Sequence, residues 1–430
     1  MAPQARDDAR ATTAGARPGP RTLLVVAIAA TPITDTIADA PSMSTSKSLA
    51  PLQGSRRNDS ARRHIEPLLA QADVRFDGTR AWDIRLHDPG VPARVLALGS
   101  LGLGEAYMDG HWDCASLDQL FDRLLRARLD RAVRGRSAVL HHLRARLFNR
   151  QTVRRAWQIG HAHYDLGNDF YATMLDARMT YACGFWQGCT TLDEAQEHRL
   201  DRVCRKLGLQ PGMRVLDIGC GWGSFMRFAA ERYGVQCIGA TISAEQADFV
   251  RARCAGLPIE IRLADYRDLN GRFDRIVSLG MFEHVGRKNH AAYMHVAERC
   301  LADDGLFLLH TIGRCETGHG TDPWIDRYIF PNGELPTLAD IGLACAERFV
   351  VEDLHNFGAD YDRTLMAWHA NFEAAWPAFA HRLGPRFHRM WRYYLLSCAG
   401  AFRARDLQLW QWVLSKPGRS GVYRRVSTAR

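Results

Sequence analysis

Lysine is scarce in this 430-residue chain: only four of its 56 basic residues are lysines, so arginine carries almost all of the positive charge. No apolar run approaches the roughly 20 residues that a membrane-spanning helix needs, which excludes an integral membrane protein built on such helices. There is no C-x-x-C pair and no Cys/His cluster at zinc spacing, so the eleven cysteines do not read as a metal site. Their irregular spacing fits reduced thiols in a cytoplasmic protein. Low-complexity disorder is excluded over most of the length, because 47% hydrophobic and 24% charged residues are ordinary values for a chain with a real core. The length predicts two or three domains.

The net charge of +9 is concentrated in two places. From Asp122 to Trp157 there are eleven arginines and two acids; from His381 to Arg430 there are eleven basic residues and one acid. Two basic blocks on an otherwise acidic body fit a face for phosphate, in lipid or in nucleic acid. They fit solvated arginine-bearing helices equally well. Residues 1–60 are rich in Ala, Thr, Pro, Ser and Arg and read as a disordered tail, or as an upstream start with Met43 opening the protein. Ala38-Asp39-Ala40, after the apolar stretch Leu23 to Ala30, leaves a signal peptide as a further reading.

Composition becomes domain-like near Arg62. Residues 61–150 read as a small, mainly helical accessory domain associated with lipid or membrane, and 151–430 as the catalytic domain. In the first, Leu117, Leu120, Phe121, Leu124 and Leu125 recur at helix spacing behind Ser116, and Gly99 to Gly104 reads as a tight turn. From Met213 short apolar runs alternate with helical stretches. The runs are Arg214–Ile218, Val235–Ala240, Ile259–Leu263, Arg275–Leu279 and Leu306–His310, with helices expected at Ser224–Tyr233 and Ala244–Cys254. Five such units predict a doubly wound α/β domain with a parallel sheet. After Ile329 the chain reads as aromatic and helical.

The sharpest local signal is Val215-Leu216-Asp217-Ile218-Gly219-Cys220-Gly221-Trp222-Gly223, a buried strand ending in an acid and a glycine-rich turn that opens a helix. Its G-x-G-x-G spacing differs from the G-x-G-x-x-G of dinucleotide folds, and the next strand ends in Thr241-Ile242-Ser243 with no ribose acid. A tight turn of this kind suits a nucleoside with no pyrophosphate to cradle. With Asp265-Tyr266 after the third strand, the pattern resembles class I S-adenosylmethionine-dependent methyltransferases.

Longer motifs narrow the resemblance. His163 to Tyr171, Tyr181 to Trp186, Gly280 to Gly286, Leu309 to Gly313, Tyr328 to Gly333, Asn356 to Tyr361 and Cys398 to Arg405 are similar to the cyclopropane-fatty-acyl-phospholipid synthases. The match runs from about Arg62 to the C-terminal region. It implies transfer of a methylene group from S-adenosylmethionine to the cis double bond of an unsaturated phospholipid acyl chain; the alternative is addition of a methyl branch. It further implies a bound bicarbonate as proton acceptor, held by Cys183, Glu283, His310, Tyr361 and the backbone of Ile312. For the cofactor it implies Tyr181, Asp217, Gly219, Cys220, Gly221, Gly223, Thr241, Ser243, Gln246, Asp265 and Tyr266. Cys183, Glu283, His310, Tyr361 and Cys398 become the catalytic candidates.

Read singly, His310 could be a satisfied core histidine, Tyr361 a loop residue bonding backbone, and Cys183 and Cys398 small buried hydrophobes. Glu283 is harder to explain away, because a carboxylate on the apolar-flanked Met281-Phe282 segment needs a partner. Tyr328, Phe330, Trp368, Trp376 and the C-terminal aromatics Trp391, Tyr393, Tyr394, Trp410 and Trp412 fit the walls of an acyl tunnel, and Arg403 and Arg405 fit headgroup contacts. The expected setting is cytoplasmic, peripheral on the inner face of the membrane, as a homodimer, with no metal. A nucleic-acid methyltransferase is disfavoured, because there is no Asn-Pro-Pro-Tyr-type loop and no basic-aromatic repeat.

Overall fold

The computed structural model describes residues 51–132, 166–315 and 321–426. The expectations for residues 1–42, Met43, Ala38 to Ala40, most of the first basic block, the 150/151 boundary and the motif residues His163 to Asp165 lie outside them.

The N-terminal part comprises α1 (Pro51–Gln71), β1 (Arg85–Leu86), α2 (Val91–Leu98), α3 (Ser100–Met108), β2 (Trp112–Asp113) and α4 (Leu117–Arg126). Here the structure corrects the glycine reading. The chain reverses at Gly99 alone (φ 63°), and Ser100 already begins α3. Gly104 is a packing residue, since a Cβ there would stand 2.4 Å from the Trp324 ring. Aromatic packing then ties this part to the rest: Tyr393 lies 5.5 Å from Tyr107 and 4.5 Å from Trp324, centroid to centroid.

After α5 (Asn168–Met174) comes α6 (Leu192–Lys206), started by a reciprocal capping box between Thr191 and Glu194. The α/β core follows as β3 (Arg214–Ile218), α7 (Ser224–Tyr233), β4 (Gln236–Thr241), α8 (Ala244–Arg253), β5 (Ile259–Leu263), β6 (Phe273–Leu279), α9 (His290–Cys300) and β7 (Leu301–Arg314). The chain continues through α10 (Pro323–Tyr328), α11 (Leu338–Cys345), β8 (Val350–Asn356), α12 (Ala359–Arg403) and β9 (Leu407–Ser415). α12 is two helices end to end, broken at Gly384 (φ 73°) ahead of Pro385.

The seven strands form one sheet in the order β5-β4-β3-β6-β7-β9-β8. The five sequence-read strands occur and are parallel. Two more were read as helical and are not: β8 and β9, with β9 antiparallel to both neighbours. Trp410 and Trp412 therefore sit on a strand. Buried on both faces, β9 reads LQLWQWVLS, nearly continuous in bulky residues, and its alternation is masked. This strand carries Gln411 into register with His310.

The C-terminal arginines are also revised. Arg403 forks onto Asp362 (2.8 Å) and reaches Asp118 (2.6 Å), so it bridges α12 to α4 rather than facing a headgroup. Arg386 and Arg389 pair with Asp109 and Asp113 in the same way. Much of this block is internal electrostatic glue. Among the described residues no helix is long and apolar enough to cross a membrane.

Candidate active site

The C-terminal ends of β3, β4, β6 and β7 open into one continuous cavity of about 940 Å³. That is the size of a small-molecule site. Its walls include Asp217 to Trp222, Thr241 to Ser243 with Gln246, and Asp265 to Arg267 on one side of the chemistry, and Glu283, His310, Ile312 and Tyr361 at it. They also include Leu68, Val95, Leu103, Phe121 and Leu124 of the N-terminal helices, and Phe76 of the segment after α1. A polar nucleoside-sized wall and an apolar wall thus share one space.

The glycine turn is built as its spacing demands. Gly219 has φ 86°, and a Cβ there would stand 2.7 Å from Met281, so only glycine fits. Asp217, closing β3, is buried; its Oδ1 has no partner, and loss of solvent pushes its carboxyl up to about 7. After β4, Thr241 Oγ1 contacts Gln246 Oε1 (2.9 Å), and the Ser243 side chain accepts the N–H of Gln246 (3.2 Å), capping α8. Asp265 accepts both the backbone N–H (2.9 Å) and the guanidinium (2.9 Å) of Arg267, and Tyr266 is buried beside it. Cys220 is a buried thiol raised well above its ordinary range by burial, a lining group and not a nucleophile. These groups fit an adenosyl cofactor: an orphaned acid, a glycine cradle, and small polar groups at the next two strand ends.

Next to the turn lies a cluster drawn from distant segments. Glu283 follows β6 in a short turn of helix. Its Oε1 accepts the N–H of Ile312 (2.7 Å), while Oε2 is buried without a partner. Burial pushes this carboxyl up to about 7. His310 is fully buried on β7, with Gln411 Nε2 3.3 Å from its Nδ1. Burial and the charges of Arg199 and Lys206 hold it neutral. Tyr361, on the first turn of α12, packs against Phe402 (4.6 Å), and burial keeps its hydroxyl protonated. Cys183 is a sealed thiol donating to Gly184 O (3.1 Å), and burial keeps it protonated too.

Cys398 lines the same cavity from α12; burial pushes its thiol up to about 12, so it is not poised as a nucleophile. Tyr181 bonds Tyr394 hydroxyl to hydroxyl (2.9 Å) and stacks near Trp368 (5.2 Å). Of the tunnel candidates, Phe330 lines the cavity, whereas Tyr328, Trp368 and Trp376 pack around it. Tyr393 and Tyr394 also line it, whereas sequence reasoning missed Arg199, Gln411 and Trp222. Arg199 and Gln411 carry no local motif; Trp222, inside the glycine turn, was legible as a lining residue. Among the described residues no cluster suits a metal.

A doubly wound sheet with one reversed strand near its edge, a glycine turn after the first core strand and acids at the strand ends define an S-adenosylmethionine-dependent methyltransferase of class I architecture. Residues 151–412 match the mycolic acid cyclopropane synthetase family model, and the chain belongs to that family. It is 51% identical over 372 residues to the cyclopropane-fatty-acyl-phospholipid synthase of Escherichia coli strain K12, covering 85% of this chain and 96% of that one. It is 34% identical to the tuberculostearic acid methyltransferase UfaA1 of Mycobacterium tuberculosis, over 83% and 89% of the two chains. Among solved structures it resembles mycolic acid cyclopropane synthase CmaA1 complexed with SAH and CTAB, with TM-score 0.57 and 34% identity over 60% of this chain and 98% of that one.

Proposed function

We propose that this chain transfers a methylene group from S-adenosylmethionine to the cis double bond of unsaturated phospholipid acyl chains, forming cyclopropane rings. The observation that carries the reading is the shared cavity: the cofactor turn, Glu283, His310 and Tyr361, and the apolar helical wall line one space, with Cys183 buried outside that lining. When bound, S-adenosylmethionine supplies an electrophilic methyl group. Asp217, the Gly219–Gly223 turn, Gln246 and Asp265 would hold it.

An alkene is a feeble nucleophile, so the protein must supply alignment, exclusion of water and a proton acceptor that does not itself capture a cation. The cluster suits that task. Its thiol and phenol remain protonated, so neither is a nucleophile waiting in the site. Glu283, with one oxygen fixed by Ile312 and the other unpartnered, can accept a proton from a small anion. His310 and Tyr361 are neutral donors. A bicarbonate ion fits this set, offering its O–H to Glu283 Oε2 and its oxygens to His310 and Tyr361. The N–H of Ile312 is already given to Glu283, so Ile312 acts by fixing that carboxyl.

The apolar wall of the N-terminal helices supports assigning it to the acyl chain, with the enzyme working on its substrate at a bilayer surface. The test is purified enzyme with labelled S-adenosylmethionine and vesicles of cis-unsaturated phospholipid, followed by lipid mass analysis. Gain of one CH₂ with loss of the alkene is the expected result. Gain of a methyl branch would assign the chain to branch formation instead, and label in nucleic acid alone would overturn the lipid reading.

A further inference from the structure

One buried charge in the cavity wall has no ligand assigned to it above. Arg199, on α6, is 1% exposed and lines the cavity. It makes no hydrogen bond among the described residues, and its Nε and Nη1 are both sealed from solvent without a partner. A guanidinium stays charged in proteins, and an unpaired buried charge is retained only where something compensates it. Asp176 does not do so directly: its carboxylate is taken up by the N–H of Thr180 (2.7 Å), the N–H of Arg178 (3.1 Å) and the hydroxyl of Thr180 (3.2 Å).

Across the same cavity wall Asp217 presents the opposite charge in the same condition, with Oδ1 buried and unpartnered. The two residues feel each other's field, yet no hydrogen bond joins them. An acid and a base, both orphaned, in one wall are complementary to a zwitterion. The amino-acid end of S-adenosylmethionine is a zwitterion. An inorganic anion would answer Arg199 and leave Asp217 unpaired, and the Glu283/His310/Tyr361 set already offers such an anion a complete set of partners.

We propose that Arg199 anchors the carboxylate of the cofactor's methionyl group, as the positive half of a pair whose negative half, Asp217, faces the ammonium. The proposal rests on the cofactor reading and adds a binding residue to it. Arg199 belongs to a helix whose other buried residues are mainly packing groups, so the glycine-turn motif gives no hint of it.

The test is calorimetric binding of S-adenosylhomocysteine and of its decarboxylated analogue to the full chain. Wild type should bind the carboxylate-bearing compound about 10–100-fold more tightly, the range of a charge-assisted hydrogen bond. Arg199→Gln should lose most of that factor for S-adenosylhomocysteine and little for the analogue; Arg199→Lys should retain part of it. The ligand comparison on wild type needs no variant, so it stands even if Arg199→Gln does not fold. Equal affinity of wild type for both compounds overturns the proposal, as does a folded Arg199→Gln that still discriminates. A variant that keeps cofactor affinity but loses its rate response to added bicarbonate also overturns it, assigning Arg199 to the inorganic anion. Failure of wild type to bind S-adenosylhomocysteine at all would instead overturn the cofactor reading, and the anchor with it.

Discussion

Gln411 Nε2 stands 3.3 Å from Nδ1 of His310, on facing positions of β9 and β7, and both side chains are buried. With the amide donating to Nδ1, the imidazole keeps its proton on Nε2 as a donor. Gln411 is therefore a positioning residue for His310. Gln411→Leu should lower kcat by on the order of 10-fold, with S-adenosylhomocysteine affinity unchanged by calorimetry. Gln411→Glu accepts a proton from Nδ1 instead and imposes the other tautomer, so it should not restore the rate.

Glu283→Gln keeps the shape and loses an acceptor. Turnover should fall on the order of 10²-fold or more, as positioned proton-transfer groups contribute. Wild-type rate should drop in degassed, bicarbonate-free buffer and return on adding bicarbonate, and the variant should lose that response. Full turnover by Glu283→Gln, or loss of cofactor binding in it, would remove Glu283 from the proton path.

Two carboxyls give a pH signature. Asp217 and Glu283 are each held near 7 by burial, whereas unfolded carboxyls titrate near 4. Between about pH 4.5 and 7 each of these two carboxyls therefore binds more protons folded than unfolded, whereas the buried His284, His290 and His355, pushed down to about 4, bind fewer. The stability that the two carboxyls contribute without ligand should fade as pH rises through that window, against the opposite trend of the buried histidines, so it is read by difference. The Tm of Glu283→Gln relative to that of wild type should rise with pH across the window. The wild-type rate should rise through about pH 7 as Glu283 ionises.

Arg403 holds α12 to α4 through Asp362 and Asp118. Arg403→Ala should cost about 2–3 kcal/mol in denaturant unfolding, since it strands two largely buried carboxylates. Vesicle affinity, measured on folded variant, should change little. A large loss of vesicle binding with unchanged stability would return Arg403 to the headgroup role.

Residues 1–42 read as a tail or an upstream start, so a chain beginning at Met43 should keep full activity and melting behaviour. Loss of either would show that this segment packs on the enzyme.

The local features were legible in the chain because local rules set them. A strand that ends in Asp217, a turn that only glycine can make at 219 and a helix from Ser224 follow from backbone sterics and apolar spacing within a dozen residues. The five parallel strands were visible for the same reason, whereas the Glu283, His310 and Tyr361 candidates came from the family motifs. What tertiary structure decided depends on contacts between distant positions. β9 hides its alternation because both faces are buried, so the partnership of His310 with Gln411, 101 positions apart, exists only through strand register. Arg403 could not be assigned from charge alone, because whether an arginine meets solvent or an acid is settled by packing. Arg199 went unread for that reason too: its sequence neighbours describe an amphipathic helix, and only the folded cavity shows a buried cation without a partner.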